Sequence, residues 1–136
     1  MHVDGACHCG YIKYEAEVDP DSVNICHCTD CQTMTGSAYR VTVQSLKGAF
    51  KLLSGQPKTY VKTAESGNQR VQSFCPECGT PLYATTVGNA EFYGIRVGTT
   101  RQRRELLPKR QGWCRSAQSW VMNIDALPKS PQQRPR

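Results

Sequence analysis

A mainly β domain of short antiparallel strands with little helix is predicted by three features of the chain. These are short runs with period-2 alternation, turn-forming residues between them at regular intervals, and cysteines gathered in tight clusters. At 136 residues the chain has the size of about one domain. Hydrophobic residues make up 38% and the mean hydropathy is −0.55, lean for a domain that must stand on packing alone. Bound metal can make up such a shortfall, because binding free energy becomes folding free energy when the site exists only in the native state.

In chain order, the first expected strand covers residues 11–17, where Tyr11, Ile12, Tyr14 and Ala16 alternate with charged residues. Residues 29–35 offer one or two turns of helix. Further strands are expected at 38–43, 59–62 and 92–97, all β-branched or aromatic and bounded by turn residues. Residues 70–74 and 82–86 flank the cluster Cys75-Pro76-Glu77-Cys78-Gly79 and read as a hairpin pinned by zinc. Breakers are expected at Asp19-Pro20-Asp21, Ser54-Gly55, Ser66-Gly67-Asn68 and Gly88-Asn89. A single domain over 1–128 follows. Residues 129–136, with Pro131 and Pro135 among glutamine and basic residues, are expected to form a disordered basic tail.

Seven of the eight cysteines fall at Cys7/Cys9, Cys26/Cys28/Cys31 and Cys75/Cys78. A closed zinc site takes four protein ligands and a reactive one keeps a position open, so seven read as one complete and one incomplete site. Disulfides are the rival. The N-terminus offers no apolar run that could act as a signal peptide, so a reducing, cytoplasmic setting is expected, and cysteines two apart would close very small rings. A Cys-x-x-Cys turn places two sulfurs around one ion, with Gly79 suited to a positive φ. In an extended segment Cys7 and Cys9 would share a face while His8 points away. Spacing leaves open whether this pair joins Cys75/Cys78 or the central triplet. The first choice leaves the triplet with an open position, and the second makes a group of five that a tetrahedral ion cannot use fully. A thiol is the apt fourth ligand of a three-thiolate site, since coordination lowers a thiol's pKa. The alternatives are His27, Asp30, Cys114 or water in a purely structural site. His27 and His8 read as packing residues or supports of the ligands, and Cys114 as a buried thiol.

The net charge of +6 lies wholly in the C-terminal part. Residues 1–100 hold eight Lys/Arg against nine Asp/Glu, and residues 101–136 hold nine against two. Arg101, Arg103, Arg104, Lys109, Arg110 and Arg115 can attract a small acidic substrate or an acidic surface. Basic and aromatic residues do not interleave as on a nucleic-acid platform, so a nucleic-acid partner is not expected. No run approaches the ~20 apolar residues of a membrane span, and no membrane partner is expected.

The succession Gly5-Ala6-Cys7-His8-Cys9-Gly10 with Tyr14-Glu15, Cys26-His27-Cys28-Thr29-Asp30-Cys31 with Gly36-Ser37, Ser73-Phe74-Cys75-Pro76-Glu77-Cys78-Gly79-Thr80, and the late Gly98-Thr99 and Trp120 resembles the glutathione-dependent formaldehyde-activating enzyme family, also called the centromere protein V family. The resemblance runs from about Gly5 to Leu127. It implies a zinc-binding β-tent fold with two zinc ions per chain. It further implies that Cys7, Cys9, Cys75 and Cys78 hold a structural zinc, and that Cys26, Cys28 and Cys31 hold a catalytic one. The implied activity is that of a carbon–sulfur lyase adding glutathione to formaldehyde to give S-hydroxymethylglutathione, with the C-terminal arginines as partners for the glutathione carboxylates. Where many relatives carry His-Ile before an aromatic residue near the C-terminus, this chain reads Gln111-Gly112-Trp113-Cys114. Two other classes fit the same residues: a zinc-stabilised binding module without catalysis, for an acidic protein or, ranked lower, a nucleic acid, and an enzyme acting on another thiol and electrophile.

Overall fold

The computed structural model describes residues 1–134. Strands dominate, as the alternation predicts. They are β1 (His2–Ala6), β2 (Lys13–Cys26), β3 (Arg40–Ser54), β4 (Lys58–Thr63), β5 (Gln69–Phe74), β6 (Pro81–Thr86), β7 (Gly94–Arg96) and β8 (Arg110–Gly112), with one helix, α1 (Thr29–Thr35), and three short 3-10 turns after β7. Among the described residues these strands form one sheet in the order β1-β2-β3-β7-β6-β5-β4. All neighbours are antiparallel except β8, which lies parallel to Asn24–Cys26 of β2.

The long pair β2–β3 carries the architecture. Its register shifts three times, so the strands bend instead of running flat. The Asp19-Pro20-Asp21 segment, expected to end a strand, instead lies within β2 at the largest shift, where its ladder skips from Asp19 to Asn24. Proline is tolerated there because a bulge needs no ladder hydrogen bond from it. The first half of β2 pairs with β1 and the distal half of β3, and its last three residues pair with β8 and the start of β3.

Register sorts the side chains onto two faces. Val43, Ile95 and Tyr83 sit opposite one another and join Val3, Ile12, Tyr14, Val18 and Leu82 in the core. Burying each large aliphatic side chain stabilises by about 1.5–3 kcal/mol. Phe50 stacks on Tyr93 at 4.3 Å and on Tyr14 at 5.3 Å, closing that core. On the other face Cys26 lies opposite Arg40, and Thr42, two residues along from Arg40, lies opposite Arg96. Gly94, Ala84, Gln72 and Tyr60 continue the same row across β7, β6, β5 and β4. This second face positions the site.

Among the glycines, Gly5 has the closest neighbours. A Cβ there would collide with the Tyr14 ring and the Thr99 carbonyl. The expected disordered tail falls partly on Pro135 and Arg136, which lie outside the described residues; residues 129–134 are exposed and carry neither helix nor strand. Among the described residues no helix is long and apolar enough to cross a membrane.

Candidate metal centres

Two loops bring four cysteines together. Between β1 and β2, Cys7 N–H donates to the Ile12 carbonyl and Gly10 N–H to the Cys7 carbonyl, both at 3.1 Å. Cys7 and Cys9 therefore lie in a tight turn and not in the extended segment the sequence suggested, since Gly10 at φ 82 closes the turn. Between β5 and β6, Cys75 N–H donates to the Thr80 carbonyl at 3.0 Å and Gly79 N–H to the Cys75 carbonyl at 2.9 Å, with Gly79 at φ 78. His8 N–H donates to Thr80 Oγ1 at 3.1 Å and ties the two turns to each other.

The Sγ atoms of Cys7, Cys9, Cys75 and Cys78 all lie within 4.8 Å of one another. Cys7–Cys9 and Cys9–Cys75 are 3.6 and 3.8 Å apart. Four sulfurs at ~2.3 Å from one ion stand about 3.8 Å apart, so this donor set fits a tetrahedral metal. Backbone N–H groups already point at the sulfurs: Ile12 to Cys7 Sγ at 3.2 Å, and Glu77 and Cys78 to Cys75 Sγ at 3.4 and 3.5 Å. The Thr80 hydroxyl holds the Cys78 thiol down at about 5. The pairing that spacing left open is thus resolved spatially, with Cys7/Cys9 beside Cys75/Cys78.

The second group is Cys26, Cys28 and Cys31, whose sulfurs also lie within 4.8 Å of one another. Cys26 ends β2. Cys28 is the N-cap of α1, its backbone extended at φ −61, ψ 153, and its sulfur accepts from Cys31 N–H at 3.3 Å. Cys31 sits in the first turn, buried. A contact with Cys31 pulls the Cys26 thiol down to about 5 against the opposing effect of burial, and the same contact pushes Cys31 up. Three sulfurs this close together are a donor set suited to a thiophilic cation, which binds them as thiolates. His27, Asp30 and Cys114 do not join the group. Asp30 pairs with Lys62 at 2.9 Å.

The C-terminal segment frames this triplet. His27 N–H donates to the Gly112 carbonyl at 3.1 Å, and His27 Nε2 meets Gln111 Oε1 at 2.8 Å. The His27 ring is 1% exposed, edge-on to Tyr39, and its Nδ1 has no partner. Gln32 Nε2 donates to the His27 and Ser116 carbonyls, and Gln118 Nε2 donates to Gln32 Oε1. Trp113 sits at φ 55, the one non-glycine at positive φ among the described residues. Such strain in a bulky residue costs about 1–3 kcal/mol and gathers at functional sites. The Arg115 guanidinium lies 4.9 Å from the centre of the Trp113 ring, and both border a cleft with Cys28, Asp30 and Lys62.

Cys114, expected to be buried, is exposed, because the left-handed Trp113 turns the chain outward into a 3-10 turn that begins at Cys114. His8 is exposed as well. Among the C-terminal arginines, Arg101 pairs with Asp4 at 2.8 Å and Arg115 with Glu65 at 3.4 Å. Sequence reasoning did not single out Arg40, Arg96 or Gln72, which lie on the Cys26 face of the sheet. The available signal was a cation at an alternate position inside an otherwise apolar strand pattern, as at Arg40 and Arg96.

Comparison with known proteins agrees with this architecture. The crystal structure of a Rhodobacter sphaeroides protein superposes with a TM-score of 0.60 at 20% identity, covering 79% of this chain and 98% of that one, and so shares the fold. No curated protein matches the chain. The family model for the glutathione-dependent formaldehyde-activating enzyme matches residues 2–116. With that match over most of its length, the chain belongs to the glutathione-dependent formaldehyde-activating enzyme family.

Proposed function

We propose that the protein is a zinc-dependent carbon–sulfur lyase that adds the thiol of glutathione to formaldehyde, giving S-hydroxymethylglutathione. The observation that carries this reading is the split of seven cysteines into a group of four and a group of three. Four sulfurs close a tetrahedral ion, whereas three leave one position for a thiol. Residues 1–128 act as one zinc-binding domain, with Cys7, Cys9, Cys75 and Cys78 as ligands of a structural zinc and Cys26, Cys28 and Cys31 as ligands of a catalytic one. Zinc at the triplet supplies the lowered thiol pKa that makes a nucleophile at neutral pH.

The chain's own residues hold the geometry. Cys31 N–H fixes the Cys28 sulfur, and Gln32 binds α1 to the His27 and Ser116 carbonyls so that the triplet and the 111–118 segment stay in register. In the reaction the thiol S–H bond breaks and a C–S bond forms at the aldehyde carbon. The carbonyl π pair becomes the hydroxyl oxygen's lone pair, and the thiol proton ends on that oxygen through solvent; no redox partner is needed.

Metal stoichiometry and a formaldehyde-plus-glutathione consumption assay test the reading on wild type, Cys26→Ser and Cys75→Ser. Wild type should hold two zinc ions and turn over. Cys26→Ser should stay folded with one zinc and no turnover, and Cys75→Ser should misfold. If Cys26→Ser unfolds as badly as Cys75→Ser and the wild type shows no thiol-dependent turnover, the catalytic assignment is wrong.

A further inference from the structure

The sheet face that carries Cys26 also carries two guanidinium groups with no acidic partner. Arg40 is only 6% exposed. Its Nη1 donates to Gln72 Oε1 at 3.2 Å, and Arg96 Nη2 donates to the same oxygen at 2.6 Å. Arg96 Nη1 reaches the Gly94 carbonyl at a marginal 3.4 Å, and the Nε atoms of both arginines are buried with no partner. One neutral amide oxygen thus faces two cations, and neither arginine forms an ion pair among the described residues.

Burying a charge costs several kcal/mol unless an opposite charge and hydrogen bonds compensate. Burial holds Arg96 down at about 9, helped by the nearby Arg40 charge, which still leaves it charged at neutrality. Cys26 and Cys31 of the triplet supply negative charge that acts on Arg96, but three thiolates on a divalent ion would carry a formal charge of only about −1 against two guanidiniums. Arg40, Arg96 and Gln72 line a cleft of about 320 Å³ together with the apolar side chains of Met34, Tyr60 and Phe74. Met34 is three residues beyond Cys31 on α1, on the same side of the helix, so the cleft begins one helical turn from the triplet.

We infer that this cleft binds a carboxylate of the molecule that reacts at the triplet, gripped by Arg40 and Arg96, with its aliphatic body against Met34, Tyr60 and Phe74. A carboxylate supplies the planar pair of acceptors that a guanidinium fork matches, and it offsets the unbalanced charge. Gln72 is a positioning residue that keeps the two forks side by side. The inference rests on the proposed function for its location beside a reacting centre. Either substrate can bring the carboxylate: the thiol partner, as glutathione does, or an acidic aldehyde such as glyoxylate in place of formaldehyde.

Calorimetric titration of the zinc-loaded full chain separates these sources and does not depend on turnover. The probes are S-methylglutathione, which keeps the carboxylates and lacks a free thiol, its diethyl ester, glyoxylate, and the uncharged glycolaldehyde. The expected result is binding of S-methylglutathione or glyoxylate at least tenfold tighter than its carboxylate-free counterpart. The first pattern assigns the carboxylate to the thiol partner and the second to the carbonyl partner. Arg40→Gln and Arg96→Gln should each weaken that binding at least tenfold. Arg96→Lys, which keeps the charge and loses the fork, should weaken it by a smaller factor. Thermal melting of the Gln variants should be unchanged or raised, since a poorly compensated buried charge is removed, whereas a structural role would lower it. Equal binding of each carboxylate-bearing probe and its carboxylate-free counterpart by the wild type, or unchanged binding in both Gln variants, overturns the inference. Cys26→Ser should keep carboxylate binding while losing turnover. Binding without any wild-type turnover would sink the lyase reading alone, and turnover without carboxylate discrimination would sink this inference alone.

Discussion

Tyr14 shows how one side chain couples packing to pH. Its hydroxyl meets Thr99 Oγ1 at 2.6 Å inside the core, and burial outweighs that hydrogen bond to push the phenol up to about 12. An ordinary tyrosine ionises near ~10, so between about pH 10 and 12 the unfolded chain loses this proton while the folded one keeps it. Stability from this group is therefore fully present below pH ~10 and falls as pH rises toward 12, by about 2–3 kcal/mol in all. Urea unfolding from pH 8 to 12 should show this loss in wild type and not in Tyr14→Phe, which should cost about 1 kcal/mol at neutral pH through the lost hydrogen bond. His27 gives a second test. Its Nδ1 is already unpartnered, so Gln111→Ala leaves the whole buried ring without a polar partner. We expect a loss of about 1–3 kcal/mol in denaturant unfolding, and a loss under 0.5 kcal/mol would show that the ring does not need Gln111.

Among the elements, the loop-facing end of β1 is the least forgiving. Gly5→Ala drives a methyl group into the Tyr14 ring and the Thr99 carbonyl, and should destabilise by about 1–3 kcal/mol, read as a lowered denaturation midpoint. Strands β4, β5 and β6 were legible within a residue at each end, because short β-branched and aromatic runs there are bounded by turn residues and by the Cys75-Pro76-Glu77-Cys78-Gly79 cluster. β8 was not legible: three residues, Arg110-Gln111-Gly112, become a strand only by pairing with Asn24–Cys26 far away in the chain. β1 was hidden likewise by its brevity and by Gly5. Asp19-Pro20-Asp21 carries a strong local turn signal, yet continued pairing of β2 with β3 turns it into a bulge. At the site, the three cysteine clusters were visible from ligand spacing, but which of them combine was not, because spacing along the chain does not say which turns meet in space; Arg40 and Arg96 were not visible either, since burial without a counter-charge is a property of the folded neighbourhood.

For the molecule as a whole, the two cysteine groups differ in how much chain they join. Cys9 and Cys75 stand 66 positions apart, while the triplet spans residues 26–31. Closing a loop of that length constrains the unfolded chain by about 4 kcal/mol if the cross-link behaves as a covalent one. Under the two-zinc reading, a chelator should strip zinc in two phases. The fast phase, from the triplet, should vanish in Cys26→Ser, and the slow phase should come from the group of four, where a chelator reaches exposed Cys9 and Cys78 but release also requires the turns holding buried Cys7 and Cys75 to part. A single phase in wild type would contradict the assignment of one open and one closed centre. The same separation orders events during synthesis. At about 5–20 residues per second, Cys9 leaves the ribosome roughly 3–13 s before Cys75, whereas Cys26, Cys28 and Cys31 emerge within about a second of one another. Under the same two-zinc reading, the nascent chain completes the Cys26/Cys28/Cys31 set first and carries Cys7 and Cys9 as bare thiols until the β5–β6 turn arrives. In that interval those two cysteines are the point at which oxidation would divert the protein before it has folded.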